Sequence, residues 1–200
     1  MIWAIVPVKP FLASKSRLSG VLSPQERAGL SREFLGHALE VLARVPSVGE
    51  TLVISRDPAA LALAHSRRAR TVTEAGAPDL NAALQRATEV AAASRAEGVL
   101  ILPTDLPFLT PQDVSQLIAP DGAGPRVAIA PDRRDDGTNA LYVAPPGLLN
   151  YAFGVHSFAR HLELAQAAGA NVRICRLPGV ALDVDGPEDW SLYLSARKSE

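Results

Sequence analysis

The chain reads as one α/β domain on a mainly parallel, Rossmann-like sheet. Three observations predict this. Apolar strand-like runs alternate with helical stretches from end to end, the order that builds a parallel sheet wrapped by helices on both faces. The length of 200 residues suits one domain with a full core. No repeat, low-complexity tract or linker interrupts the pattern, so 1–200 is taken as a single unit.

The first strand is expected at 2–8, an apolar run after Met1 with no basic leader, and so a strand and not a signal peptide. Further strands are expected at 51–55, 70–73, 99–102, 127–130, 140–143 and 172–177. The first helix has a clear start. Ser23 is its cap, Pro24 takes the first helical position, and Glu26 completes a capping box. Leu30, Phe34, Ala38, Leu39 and Leu42 then recur at helical spacing up to Val45. A second helix is expected from the cap Thr110 and Pro111. Another is expected over 157–168, stopped by Gly169 in a left-handed conformation, and a last one from Pro187. Gly122-Ala123-Gly124 precedes a strand and reads as a turn.

The most informative stretch is Pro103-Thr104-Asp105-Leu106-Pro107, directly after the buried run 99–102. Open α/β sheets bind ligands beyond the carboxyl ends of their strands. The two prolines stop sheet pairing and helix growth, so the loop is stiff. Asp105 then either binds a hard cation such as Mg²⁺, which takes few protein carboxylates and fills its shell with water and phosphate, or merely caps a turn. The segment Pro7-Val8-Lys9-Pro10-Phe11-Leu12-Ala13-Ser14-Lys15-Ser16-Arg17-Leu18-Ser19 follows the first strand, with three cations and no acid before Glu26. Lys9, Lys15 and Arg17 suit a polyphosphate; the other reading is a solvated basic loop. No Walker loop and no Gly-x-Gly-x-x-Gly follows a strand.

Arg133-Arg134-Asp135-Asp136-Gly137-Thr138-Asn139 joins two apolar strands through an Asp-Gly turn signal. It is either a plain hairpin or a site where Thr138 and Asn139 offer a hydroxyl and an amide. Phe153-Gly154-Val155-His156-Ser157-Phe158 opens a helix. Ser157 is the candidate cap, and a helix N-terminus beside a glycine suits an anion. His156 and His161 are five apart, a poor spacing for a helical metal pair, and are read as structural or substrate-adjacent. In Leu182-Asp183-Val184-Asp185-Gly186-Pro187-Glu188-Asp189, alternation puts Asp183 and Asp185 on one side. No Lys or Arg lies between Leu177 and Ala196 to neutralise them, and like charges held close want a cation. Capping by Asp185 and dipole pairing by Glu188 and Asp189 is the competing account.

Composition narrows the classes. The residues are 48% hydrophobic and 20% charged, with a formal net charge of −1, which argues against nucleic acid or a membrane surface as the main partner. The single cysteine, Cys175, excludes an internal disulfide and a multi-cysteine metal site, and is expected in the core on the last strand. No apolar run reaches the length of a membrane span. A cytoplasmic protein is expected.

In family order, Pro7-Val8-Lys9 with Lys15-Ser16-Arg17-Leu18, Pro103-Thr104-Asp105-Leu106-Pro107, Asp136-Gly137-Thr138-Asn139-Ala140-Leu141, Phe153-Gly154 with Ser157-Phe158, and the Asp183–Asp189 run span nearly the whole chain. Together they resemble the guanylyltransferases of deazaflavin cofactor biosynthesis, within the wider nucleotidyltransferase superfamily. Asp-Leu-Pro is common to many nucleotidyltransferases, whereas the Gly-Thr-Asn and Phe-Gly-x-x-Ser-Phe pair is specific. The resemblance implies a GT-A-like nucleotidyltransferase domain with a mainly parallel mixed sheet. It implies condensation of GTP with a small phosphorylated three-carbon acid: phosphoenolpyruvate foremost, with 2-phospho-L-lactate and 3-phosphoglycerate as alternatives. It implies Mg²⁺ on Asp105 and Asp185, with Asp183 as a partner. Thr138, Gly154 and Ser157 would line the acid pocket. Lys9, Lys15 and Arg17 would lie along the GTP phosphates, with Lys15, Arg17 and Asp105 as the catalytic set. Asn81, in Asp79-Leu80-Asn81, would lie on the nucleotide side, although Asp79 stands where glycine is usual. A homodimer is compatible with this reading. The rivals are another nucleotidyltransferase, which would usually carry a Gly-rich loop after the first strand, and a non-catalytic α/β module that only binds metal or nucleotide.

Overall fold

A computed structural model describes residues 1–76, 78–120 and 122–198. Seven strands form one sheet in the order β3-β2-β1-β4-β6-β5-β7. They are β1 (Ile2–Val8), β2 (Val48–Ser55), β3 (Arg70–Thr73), β4 (Gly98–Ile101), β5 (Arg126–Pro131), β6 (Thr138–Ala144) and β7 (Asn171–Ile174). Pairing is parallel at β1–β2, β2–β3, β1–β4 and β5–β7. It is antiparallel at β4–β6 and β5–β6. Only β6 therefore runs against the others.

The helices are α1 (Pro24–Ala43), α2 (Pro58–Ser66), α3 (Leu80–Ala93), α4 (Pro111–Leu117), α5 (Ser157–Ala167), α6 (Pro178–Ala181) and α7 (Pro187–Arg197). The capping signals hold. Ser23 and Glu26 exchange bonds across the start of α1, and Thr110 does the same with Asp113 at α4. Gly169 follows α5 at φ +66°. The sequence expectations did not single out α2 and α3. Both have an Asp cap, Asp57 and Asp79, whose carboxylates accept from Ala59 N–H and Ala82 N–H. The buried face of α2 is Ala60 and Ala64 alone, which carries little periodic contrast.

Alternation along β1 splits the core. Ala4, Val6 and Val8 pack with Leu35, Leu39, Ala60, Ala64, Val114 and Leu117 under α1, α2 and α4. Trp3 and Ile5 pack with Leu84, Ala87, Ala91 and Ala165 under α3 and α5. A smaller third cluster, Leu18, Leu30, Phe34, Val184 and Tyr193, ties the segment after β1 to α1, α7 and the chain before α7.

Several strand boundaries shift by one or two residues, and two shift by three. β2 begins three residues earlier, at Val48, because Val48 N–H bonds Val45 carbonyl and leads straight into pairing with β1. β7 ends at Ile174, so Cys175 lies one residue past the strand. It is still buried, and its N–H donates to Ile129 carbonyl at 2.8 Å. Among the described residues no helix is long and apolar enough to cross a membrane.

Leu18 has no exposure and holds the cationic segment in the third cluster. Leu18→Ala should lower unfolding stability by about 2–4 kcal/mol, from lost burial plus a residual cavity. Urea denaturation followed by circular dichroism measures this.

Candidate active site

Parallel strands end together at one edge, and the loops leaving β1 and β4 meet there. β6 is reversed, so its first residue, Thr138, reaches the same edge at which β4 ends. That reversal brings the Gly-Thr-Asn segment to Asp105.

The segment after β1 is not a loose basic loop. It forms two short 3₁₀ turns, Phe11–Ala13 and Ser16–Leu18. Phe11 N–H donates to Asp57 Oδ2 at 2.8 Å, using the second oxygen of the α2 cap. Arg27 donates to Ser14 carbonyl at 3.0 Å, and the Ser14 hydroxyl touches Ser31. Between the turns Lys15 adopts φ +53°. Its ammonium is thereby turned inward, 3.6 Å from Asp105 Oδ2 and 3.6 Å from Asp185 Oδ1, with only 7% of the side chain exposed. It also lies over the Phe34 ring. Lys9 and Arg17 are exposed, and both favour the ionised form of Asp185.

The acidic loops are joined by backbone. Val184 N–H donates to Asp105 carbonyl at 3.0 Å. Val184 is buried in the third cluster, so alternation turns Asp183 and Asp185 the other way, as the sequence implies. Asp185 is not the cap of α7. That position is Gly186, and Asp189 reaches back to accept from Gly186 N–H at 2.8 Å and Asp185 N–H at 3.3 Å. Asp105 likewise caps no helix, since α4 has Thr110. Glu188 and Asp189 pair with Arg133, and Glu188 also with Arg134. These contacts pin the β5–β6 turn to the start of α7.

Burial, then the Asp105 charge, pushes Asp183 up to about 6. The same two causes raise Asp185, opposed by Lys15, Arg17 and Lys9. Crowded hard carboxylates that resist ionisation, with a lysine ammonium already drawn between two of them, are the donor chemistry a divalent cation satisfies. Among the described residues no group of three or more His, Cys, Asp or Glu forms a ready metal cage. Mg²⁺ does not require one, because it keeps waters and takes substrate phosphate oxygens.

On the other side of the turn, Ser157 is not the cap of α5 but its first residue; the cap is His156, at φ +55°. The Ser157 hydroxyl instead accepts from Thr138 N–H at 2.9 Å, and Phe158 N–H donates to Asp136 carbonyl at 3.0 Å. The turn and the helix start are therefore one unit, and the plain-hairpin reading misses half of it. The backbone N–H of Thr138 is thereby engaged. The left-handed residue of the turn is Asp135 at φ +54°, not Gly137. A Cβ at Gly137 would lie 2.9 Å from Asp132 Oδ2, so that carboxylate would have to shift. Gly154, at φ +126°, lies where only glycine is comfortable.

Two asparagines do positioning work. Asn139 is buried and donates to Val180 carbonyl at 2.8 Å, with longer contacts to Ala181 carbonyl and Asp183 Oδ1. It thus links the Thr138 segment to the acidic loop. Asn81 donates to Phe153 carbonyl at 3.1 Å and accepts from Phe153 N–H at 2.8 Å. Its amide faces the Phe153–Gly154 segment, with one N–H and one lone pair left over. Asp79, in the place where glycine was expected, is the cap of α3. His161 is fully buried and bonded through both ring nitrogens. A sequence signal existed only in its spacing on α5, four residues after Ser157.

The fold and the site define a nucleotidyltransferase, an enzyme that transfers a nucleotide. A nucleotidyl transferase from Methanothermobacter thermautotrophicus superposes with a TM-score of 0.69 over 100% of this chain and 97% of its own, at 16% identity, a likeness of fold. The family model "Guanylyl transferase CofC like" matches residues 2–194, and the chain belongs to that family. It is 43% identical over 188 residues to the phosphoenolpyruvate guanylyltransferase of Rubrobacter xylanophilus, covering 94% of this chain and 91% of the relative. It is 37% identical over 186 residues to the 2-phospho-L-lactate guanylyltransferase of Methanothermobacter thermautotrophicus, covering 93% and 81%.

Asp183 has a raised folded-state pKa, so between about 4 and 6 the folded protein binds more protons than the unfolded chain. Stability from this group is present at low pH and is lost as pH rises through that window. Asp183→Asn in EDTA should therefore melt higher than the parent above pH 6, by on the order of 1–2 kcal/mol after allowing for solvent screening. The advantage should vanish near pH 4. Thermal melts across pH 4–8 check it.

Proposed function

We propose that this chain condenses GTP with phosphoenolpyruvate, giving enolpyruvoyl-diphospho-guanosine and pyrophosphate, as a soluble step in deazaflavin coenzyme synthesis. The observation that carries the reading is the meeting of Lys15, Asp105 and Asp185 at the edge where β1 and β4 end. Family membership and the phosphoenolpyruvate guanylyltransferase relative support the choice of nucleotide and acid.

An oxygen of the acid's phosphate attacks the α-phosphorus of GTP in line. The bond from that phosphorus to the bridging oxygen breaks, and pyrophosphate leaves with the electron pair. A phosphate monoester, with a second pKa of about 6, is mostly dianionic at neutral pH, so no general base is required. This agrees with a site whose only buried imidazole, among the described residues, is already bonded on both nitrogens. The difficulty is bringing two polyanions together. Lys9, Lys15 and Arg17 supply positive charge along the triphosphate and stabilise the charge growing on pyrophosphate. Asp105 and Asp185, with Asp183 beside them, would hold Mg²⁺, which screens the phosphate oxygens of both substrates from one another. The Lys15 ammonium, 3.6 Å from both Asp105 and Asp185, is placed to meet phosphate beside those carboxylates. Thr138, Gly154 and Ser157 receive the acid. Asn81 holds the Gly154 segment and lies on the nucleotide side.

Asp105→Asn and Asp185→Asn should each stay folded and lose turnover by about a hundredfold or more, the scale of one essential electrostatic contact. Mg²⁺-dependent pyrophosphate release measures it, and near-parental rates in both variants would remove the metal assignment.

The acid itself is decided by a screen of phosphoenolpyruvate, 2-phospho-L-lactate and 3-phosphoglycerate with GTP. The first two present a carboxylate and a phosphate at similar separation and differ at the central carbon, where a pocket discriminates by only about 1–3 kcal/mol. Phosphoenolpyruvate should be preferred, with detectable turnover of 2-phospho-L-lactate, the substrate in the name of a 37% identical relative. Product from 3-phosphoglycerate alone would overturn the choice.

A further inference from the structure

His161 has no solvent exposure, yet it lies one bond from the proposed acid pocket. Its ring stacks edge-on against Phe153, with centroids 4.7 Å apart. Both nitrogens are engaged. Ala152 N–H points at Nε2 at 3.0 Å, and Nδ1 lies 2.9 Å from Thr138 Oγ1. A backbone N–H can only donate, so Nε2 must be the unprotonated nitrogen. The ring is then neutral with its proton on Nδ1, and the Thr138 oxygen accepts it. Burial, with Arg160 nearby, pulls the ring's pKa down to about 4, consistent with a neutral imidazole at working pH.

The consequence falls on Thr138. Its oxygen is occupied as an acceptor, and its hydroxyl proton has no acceptor among the described residues. Ser157 is polarised the same way, because its oxygen accepts from Thr138 N–H. Two adjacent hydroxyls that accept from the protein and have protons left to give are matched to an anion and mismatched to a cation or an N–H donor.

We propose that His161 is a positioning residue whose Nδ1–H holds the Thr138 hydroxyl as a donor toward an anionic end of the phosphorylated acid. The role rests on the acid pocket proposed above. His161 touches no reacting atom and exchanges no proton during the reaction. The line of contacts runs from Ala152 N–H through the ring to Thr138 and then to the acid, so the backbone fixes the polarity of a side chain two bonds away.

The test has two parts. In the ligand-free protein, long-range proton–nitrogen correlation spectra of the histidine rings should show His161 as the neutral Nδ1–H tautomer. An Nε2–H ring or an imidazolium at neutral pH would overturn the proposal without any variant being made. In the second part, pyrophosphate release is measured with GTP and phosphoenolpyruvate for His161→Asn, His161→Gln and Thr138→Val. The Asn amide can replace the Nδ1–H donor, whereas the Gln amide reaches the Nε2 position. His161→Gln should raise the KM for phosphoenolpyruvate by about tenfold, the scale of a hydrogen bond to a charged group, with the KM for GTP within about twofold. His161→Asn should recover most of the loss. Equal impairment of both KM values in both His161 variants would mean a purely structural role and overturn the proposal. If Thr138→Val leaves the KM for phosphoenolpyruvate unchanged, the pocket assignment falls and takes this role with it. If Thr138→Val raises that KM and His161→Gln does not, the pocket stands and only the role of His161 falls.

Discussion

Asp105, Asp183 and Asp185 repel one another, and much of the surrounding structure acts to hold them together against that repulsion. The bond from Val184 N–H to Asp105 carbonyl joins the two loops through backbone, which carries no net charge. Val184 itself is buried against Leu18, Leu30, Phe34 and Tyr193, so hydrophobic burial fixes the loop whose flanking side chains are acidic. Lys15 supplies the nearest opposing charge, at 3.6 Å from two of the three carboxylates. The raised pKa of Asp183 reflects the residual cost, from burial first and then from Asp105. Such an arrangement is the donor chemistry that a divalent cation would satisfy.

The rest of the site is hung on that edge by a few directional bonds. Asn139 links the start of β6 to the acidic loop. Arg133 and Arg134 tie the β5–β6 turn to Glu188 and Asp189, and Asp189 in turn caps the helix that follows the acids. Asn81 clamps Phe153 from α3, and His161 joins Ala152 to Thr138 from α5. None of these residues need touch a substrate. Each fixes the angle of one that would, and precise placement of reacting groups is where much of an enzyme's acceleration originates. The cost of a misplaced support is accordingly larger at this edge than an equal change elsewhere on the surface.

The residues proposed to hold metal and those proposed to hold the acid come together because β6 is inserted in reverse between β4 and β5. A parallel strand in that place would begin at the opposite edge of the sheet. The Gly-Thr-Asn segment would then lie a full strand length from Asp105.

Some of this was legible in the amino-acid order alone, and the reason is locality. The class of sheet follows from apolar runs alternating with helices. The starts of α1 and α4 follow from Ser-Pro-x-Glu and Thr-Pro-x-Asp, whose partners are three residues apart. The opposed faces of Val184 and its two aspartates follow from simple alternation. The motif residues Asp105, Thr138 and Asp185 could be singled out because loops at strand ends carry chemistry. What depended on residues far apart in sequence was decided only by the tertiary structure. Lys15 turns in toward acids 90 and 170 positions away. Asp185 is freed from capping because Asp189 takes that task. Ser157 becomes an acceptor for Thr138 and not a helix cap. A hydroxyl, amide or imidazole can bond in several ways, and sequence fixes only its inventory of donors and acceptors. Which bond it makes is settled when burial removes water as the alternative partner and leaves one neighbour within reach.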